Sequence, residues 1–178
     1  MFELLFSFFL LILFILILSI IWRINARKFI SSGTVASAYD AWTQDKLLER
    51  LWGEHIHLGF YPSGKKNIDF RKAKVQFVHE LVKWSGLDKL PKGSRILDVG
   101  CGIGGSSRIL AEYYGFNVTG ITISPAQVKR ARELTHHGLN CNFQVMDALD
   151  LKFEDGSFDA VWSVEACLLY TSPSPRDA

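Results

Sequence analysis

The chain carries almost no excess charge: its 178 residues hold 20 lysines and arginines against 18 aspartates and glutamates, a formal net charge of +2. That balance removes the electrostatic case for nucleic acid, whose recognition rests on a clustered basic face. Small or lipidic substrates are the expected class. Cysteine is scarce as well. Cys101, Cys141 and Cys167 are odd in number and share no metal-ligand spacing, so no metal is expected and reduced thiols in a cytosol-like compartment are the simplest reading. Charge is missing altogether between Glu3 and Arg23, where Leu4 to Trp22 runs for nineteen residues interrupted only by Ser7 and Ser19.

At about 1.5 Å per residue such a run spans roughly 28 Å, near the thickness of a bilayer's hydrocarbon core, and a transmembrane anchor over residues 1–22 is expected. A cleaved signal peptide would begin with basic residues and end in a small-residue cleavage site. Here the start carries Glu3, and Arg23, Arg27 and Lys28 follow the run. Short basic flanks stay on the cytoplasmic side, so the expectation is a single-pass membrane protein with its body in the cytosol.

Residues 23–69 read as a juxtamembrane and covering segment. Ser31 to Ala38 is small and polar, as a tether would be. The stretch from Tyr39 to Tyr61 is denser in rings and imidazoles than a linker, and includes WGEHIHLGFY. From Phe70 to Trp84, Ala73, Phe77, Val78, Leu81 and Val82 fall on one helical stripe with Lys74, Glu80 and Lys83 elsewhere. Pro91, Lys92 and Gly93 then break the chain. After them strands at Arg95 to Val99, Asn117 to Ile123, Cys141 to Val145 and Phe158 to Val164 alternate with helices at Ser106 to Tyr114 and from Ser124 to about Thr135. This alternation predicts an α/β fold, a doubly wound half-domain with a parallel sheet, in which ligands bind at the carboxyl ends of the strands. Asp98, Thr122, Asp147 and Glu165 fall at those ends.

The first strand runs into RILDVGCGIGG. Small residues there let the backbone turn sharply and let a ligand approach main-chain atoms. Gly100, Gly102 and Gly105 satisfy the dinucleotide pattern, a weak signal by itself. A nicotinamide site also calls for an acid at the end of the second strand. Thr122 stands there instead, and Asp98 precedes the first glycine.

ILDVGCGIGG resembles the first motif of the S-adenosylmethionine-dependent methyltransferases. In that family the turn, here Gly100, Gly102 and Gly104, approaches the methionine and ribose portions of the cofactor, and the family acid corresponds to Asp98. Asp147, followed by Ala148 in QVMDALDL, matches the acid that contacts the adenine amine, and DGSFDAVWS matches the strand-four motif. The family's ribose-binding acid is replaced by Thr122. The resemblance thus implies a Rossmann-like methyltransferase fold, represented by its amino-terminal half with parallel strands one to four over residues 70–166. It also implies S-adenosylmethionine as cofactor, held by these residues and by Tyr39. AYDAW, WGEHIHLGFY and VTGITISPAQVKRARELT are similar to the membrane-associated prenylquinol methyltransferases of cyanobacteria. That likeness implies a lipid-soluble prenylated benzoquinol substrate on the routes to tocopherol and plastoquinone, a bilayer as partner and a cyanobacterial membrane as location. Tocopherol, sterol and cyclopropane-lipid methyltransferases share parts of the pattern. A nicotinamide-dependent oxidoreductase and a non-catalytic nucleotide-binding fragment are the competing readings.

A quinol carbon is a poor nucleophile until its ring hydroxyl, with a pKa near about 10, meets a base or a strong hydrogen-bond acceptor. His55 and His57 face the same side in an extended segment and are the candidates, with Glu165 after the fourth strand. Packing or loop hydrogen bonding is the alternative role for both histidines. Cys101, with no base beside it, reads as a small residue tolerated in the turn. Cys167 to Ala178 departs from the family pattern. A chain ending there would leave the apolar fourth strand as an exposed edge, from which instability or inactivity is expected.

Overall fold

The structure is a computed structural model that describes residues 2–25, 35–63 and 67–166, with the side chains of residues 8–20 in the first helix. The chain forms two compact units, Met1–Ala38 and Tyr39–Ala178. In the first, helix α1 covers Phe2–Asn25. Among the described residues no helix is long and apolar enough to cross a membrane. This overturns the transmembrane helix expected before the α/β domain and the single-pass membrane location built on it. Arg27 and Lys28 of the expected cytoplasmic flank, residues 31–34 of the tether and Cys167 to Ala178 lie outside the described residues.

Helix α2 covers Val35–Gln44 and α3 covers Leu47–Trp52. Helix α4, Phe70–Ser85, starts where the Asp69 carboxylate accepts hydrogen bonds from the Arg71 and Lys72 amides and stops at Gly86, which takes the left-handed conformation (φ 74°). Ala73, Val78 and Val82 are buried as the stripe requires. Lys74 is not on the solvent side where the periodicity puts it. It is buried, because its Nζ donates to the carbonyls of Trp52 (3.2 Å) and His55 (2.7 Å) and lies over the rings of Trp52 and Phe70.

Four strands follow: β1 Arg95–Val99, β2 Asn117–Thr122, β3 Cys141–Val145 and β4 Ala160–Trp162. All pair in parallel in the order β3-β2-β1-β4, with Asp98 opposite Gly120 on one side and Trp162 on the other. Helices α5, Gly105–Tyr114, and α6, Pro125–Leu134, connect them. The second of these begins as the Ser124–Pro125 pair predicts, with the Ser124 hydroxyl accepting from the Gln127 amide. One core gathers Val78, Val82, Ile96, Leu110, Phe116, Val118 and Trp162; a second gathers Cys101, Val128, Ala131 and Phe143. The expected half-domain is therefore present, parallel strands included. Its fourth strand is shorter than Phe158 to Val164. Among the described residues it pairs with β1 alone, from Ile96 opposite Ala160 to Asp98 opposite Trp162, and past Asp98 β1 has a single residue left before the turn at Gly100. Val161 on this outer strand is 65% exposed.

Candidate functional site

Asp98, Thr122, Asp147 and Glu165 stand at the carboxyl ends of β1 to β4, so the parallel order brings them to one edge of the sheet. Each has a different environment. Asp98 is buried, and its carboxylate accepts the Ser107 hydroxyl at 2.5 Å from the first turns of α5. Burial pushes its pKa up to about 6, with the Ser107 bond opposing the shift. Thr122, also buried, donates to Gln127 Oε1 (2.7 Å) and accepts the Ser124 amide (3.3 Å), so its hydroxyl proton is held within the protein. Asp147 is exposed and closes its own turn by accepting the Leu149 amide at 2.9 Å; Ala148 sits within that turn. Glu165 takes a left-handed backbone (φ 50°) and accepts the Leu58 amide at 3.1 Å.

The glycine turn bends back on the sheet: the Gly100 and Cys101 amides both donate to Ile121 O, and Gly104 donates to Cys101 O. Two glycines are required for different reasons. At Gly104 (φ 82°) a Cβ would lie 2.6 Å from the Phe143 ring, so the position is needed for packing. At Gly102 (φ 56°) a Cβ would meet nothing within 4 Å, so that side of the turn is open to a ligand. Gly100 is covered by Ala166. Cys101 is buried and its thiol pKa is raised by desolvation, which removes it as a nucleophile.

A shallow cleft adjoins the turn, lined by Tyr39, Trp42 and Thr43 of α2, Glu49 of α3, Ile103 of the turn and Gln127 of α6. Helix α2 is tied there by Asp40, whose Oδ1 accepts the Ser124 hydroxyl (2.5 Å) and the Ala126 amide (3.0 Å) at the start of α6. Helix α3 is tied by a two-bond pair between Glu49 and Arg130, at 2.6 and 2.9 Å. The open backbone at Gly102 and the buried acid Asp98 lie on the glycine turn, and the aromatic side chains of Tyr39 and Trp42 line the cleft beside Ile103 of that turn.

His55 and His57 do face one another, as extended spacing requires. His57 Nε2 and His55 Nδ1 are 3.1 Å apart, with ring centroids at 4.9 Å. The bonding assigns the tautomers. His57 Nδ1 lies 2.7 Å from Leu58 O, which only accepts, so Nδ1 carries the proton and Nε2 accepts from His55 Nδ1. His55 Nε2 is left as an acceptor. Burial lowers both pKa values, that of His55 to about 3 with the neighbouring His57, Arg108 and Lys74 adding to the effect, so the pair is neutral at neutral pH.

Several side chains that shape this region were missed in the sequence. Arg108 and Lys74 each sit beside buried positions of an apolar stripe, and that placement was the available signal. Asp40, Glu54, Ser107 and Gln127 carry no local signal, because their partners are distant or hidden. Among the described residues no cluster of His, Cys, Asp and Glu could hold a metal.

The methyltransferase-domain family model matches residues 96–178. The chain is 60% identical over 146 residues to the 2-methyl-6-phytyl-1,4-hydroquinone methyltransferase of Synechocystis, covering 82% of this chain and 46% of that protein. It is 42% identical over 130 residues to the chloroplastic tocopherol O-methyltransferase of Arabidopsis thaliana, covering 67% and 37%. The chain thus spans less than half the length of either relative. Among solved structures it is similar to phosphoethanolamine N-methyltransferase 2 of Haemonchus contortus, solved with phosphomonomethylethanolamine and S-adenosylhomocysteine. The TM-score is 0.57 at 25% identity, covering 75% of this chain and 28% of that one.

Proposed function

We propose, from the match of residues 96–178 to the methyltransferase-domain model and the likeness to the two relatives, that the protein transfers a methyl group from S-adenosylmethionine to the ring of a prenylated benzoquinol. The observation that carries the reading is the hydrogen-bonded imidazole pair, His55 and His57, held against the glycine turn within a sequence 60% identical to a phytyl-hydroquinone methyltransferase. When bound, S-adenosylmethionine supplies a methyl group on a positively charged sulfur. Asp98, Gly100, Gly102, Gly104, Thr122, Asp147 and Ala148 are the residues to hold it, with Tyr39 across the cleft. Thr122 stands at the end of β2 where a ribose-binding carboxylate would be, and its hydroxyl proton is given to Gln127, which also counts against a nicotinamide cofactor.

The chain's own contribution to the reaction is placement and polarisation. Holding two reactants in a near-attack geometry supplies about 7 to 11 kcal/mol. Full transfer of a quinol proton to His55 is disfavoured. A phenol near pKa 10 facing an imidazole near 3 is about 7 units uphill, roughly 9 to 10 kcal/mol. His55 Nε2 therefore acts as a hydrogen-bond acceptor that raises electron density on the ring, with His57 fixing its tautomer. Glu165 orders the same loop through the Leu58 amide. A prenylated substrate resides in lipid, so the enzyme meets it at a bilayer surface.

The test is methyl incorporation from labelled S-adenosylmethionine into 2-methyl-6-phytyl-benzoquinol, beside γ-tocopherol as competitor. Preferential labelling of the benzoquinol supports the reading. Labelling of tocopherol alone moves the protein to the second relative's reaction, and binding of NAD(H) in place of S-adenosylhomocysteine removes methyl transfer.

A further inference from the structure

The segment carrying His55 has little apolar burial to hold it. Trp52, Ile56 and Leu58 are 48%, 49% and 74% exposed. Its position is set by polar contacts. Arg108, buried in α5, sends Nη1 to Ile103 O of the glycine turn at 2.8 Å and Nη2 to Glu54 Oε2 at 2.5 Å. The same Nη1 lies 3.5 Å from Ala131 O of α6 and from Oγ1 of Thr135, which caps that helix. One guanidinium therefore joins the turn, both helices and the residue preceding His55. The fit below it is close: a Cβ on Gly105 would lie 2.8 Å from His55 Cε1 and 2.9 Å from Glu54 O. Lys74 holds the other flank through Trp52 O and His55 O.

We propose that Arg108 is a positioning residue that couples the glycine turn to the His55 loop through Glu54, so that occupation of the turn and order of the loop support one another. Lysine does not reproduce it, because an ammonium lacks the planar fork whose two nitrogens reach the turn carbonyl and the carboxylate separately. Coupling of this kind is reciprocal for binding.

The test has two arms, the second resting on the S-adenosylmethionine reading and the first independent of it. In the first, nitrogen-15 NMR follows the His55 ring in the whole chain and in Glu54→Gln and Arg108→Lys, alongside amide exchange over residues 53–58. Release of the loop rehydrates His55 and raises its titration midpoint by about one unit or more toward the ordinary 6.5. A purely electrostatic effect of Glu54→Gln has the opposite sign, since removing a negative charge beside Arg108 lowers that midpoint. Loop exchange quickens by about tenfold in both variants. In the second arm, calorimetry gives S-adenosylhomocysteine binding about tenfold weaker in Glu54→Gln, and the ligand slows loop exchange in the native chain but not in that variant. Unchanged midpoint and loop exchange in both variants overturn the proposal, as does ligand binding unaffected by Glu54→Gln. If the native chain binds no S-adenosylhomocysteine, the cofactor reading fails and the first arm still decides the tether. Glu54 is half-exposed, so its variant tests the tether even if Arg108→Lys does not fold.

Discussion

Ser107 donates its hydroxyl to the Asp98 carboxylate at 2.5 Å, both residues buried between β1 and α5. The bond joins the end of the first strand to the helix that follows the glycine turn, and it is opposed by the desolvation that lifts Asp98 to about 6. An acid whose folded pKa exceeds its unfolded value binds protons more readily when folded. Its stabilising contribution is present below about pH 4 and is lost as pH rises through 6, a change of about 3 kcal/mol. Ser107→Ala removes a bond that favours the charged form. We expect a loss of about 1.5 to 3 kcal/mol at pH 7 and a smaller loss at pH 4, read from urea unfolding at both values. An equal loss at the two pH values would contradict the assignment.

Gly102 and Gly104 separate ligand access from packing. Both have positive φ, but a Cβ at Gly104 also strikes Phe143 while one at Gly102 enters open space. Gly102→Ala is expected to cost about 1 to 2 kcal/mol in stability, fold normally and lose S-adenosylhomocysteine affinity. Gly104→Ala is expected to destabilise by several times as much. Calorimetry and thermal unfolding of the two variants check the contrast.

His55 gives a second pH signature of opposite direction. Its folded pKa, about 3, lies below the ordinary 6.5, so the unfolded chain takes up a proton that the folded chain refuses. Stability from this group is full above 6.5 and falls as pH drops from 6.5 toward 3, by up to about 5 kcal/mol. His55→Gln should flatten the stability profile between pH 6.5 and 4.5. A profile as steep as the native one would show that His55 is not the group responsible.

Lys74 holds two carbonyls of the loop with one ammonium. Lys74→Met keeps the aliphatic stem and removes both bonds, and hydrogen bonds to a charged group are worth about 1.5 to 3 kcal/mol each. The expected outcome is a loss in that range or above it and faster proteolysis between residues 53 and 61. A native-like digestion pattern would place the loop's support elsewhere.

Local order was largely legible in the amino-acid sequence. Strands β1 and β3 occupy Arg95–Val99 and Cys141–Val145 as their apolar runs require, and the cap at Ser124 acts through a neighbour three residues away. The glycine turn after Asp98 was legible for the same reason. These features depend on periodicity and on backbone freedom, which the sequence determines alone. Other features depend on which distant group stands opposite, and only the tertiary structure decided them. Lys74 turned inward because carbonyls of Trp52 and His55 came within its reach, and Arg108 met Glu54 across 54 positions of chain. Asp40 met Ser124 across 84, Thr122 spent its proton on Gln127, and β4 paired with β1 over Ala160 to Trp162 only. The apolar run at Leu4 to Trp22 predicted a crossing helix from composition, yet no helix among the described residues is long and apolar enough to cross. A charged or hydrogen-bonding side chain takes its role from the partner that desolvates or pairs with it, and that partner is set by packing of the sheet and helices.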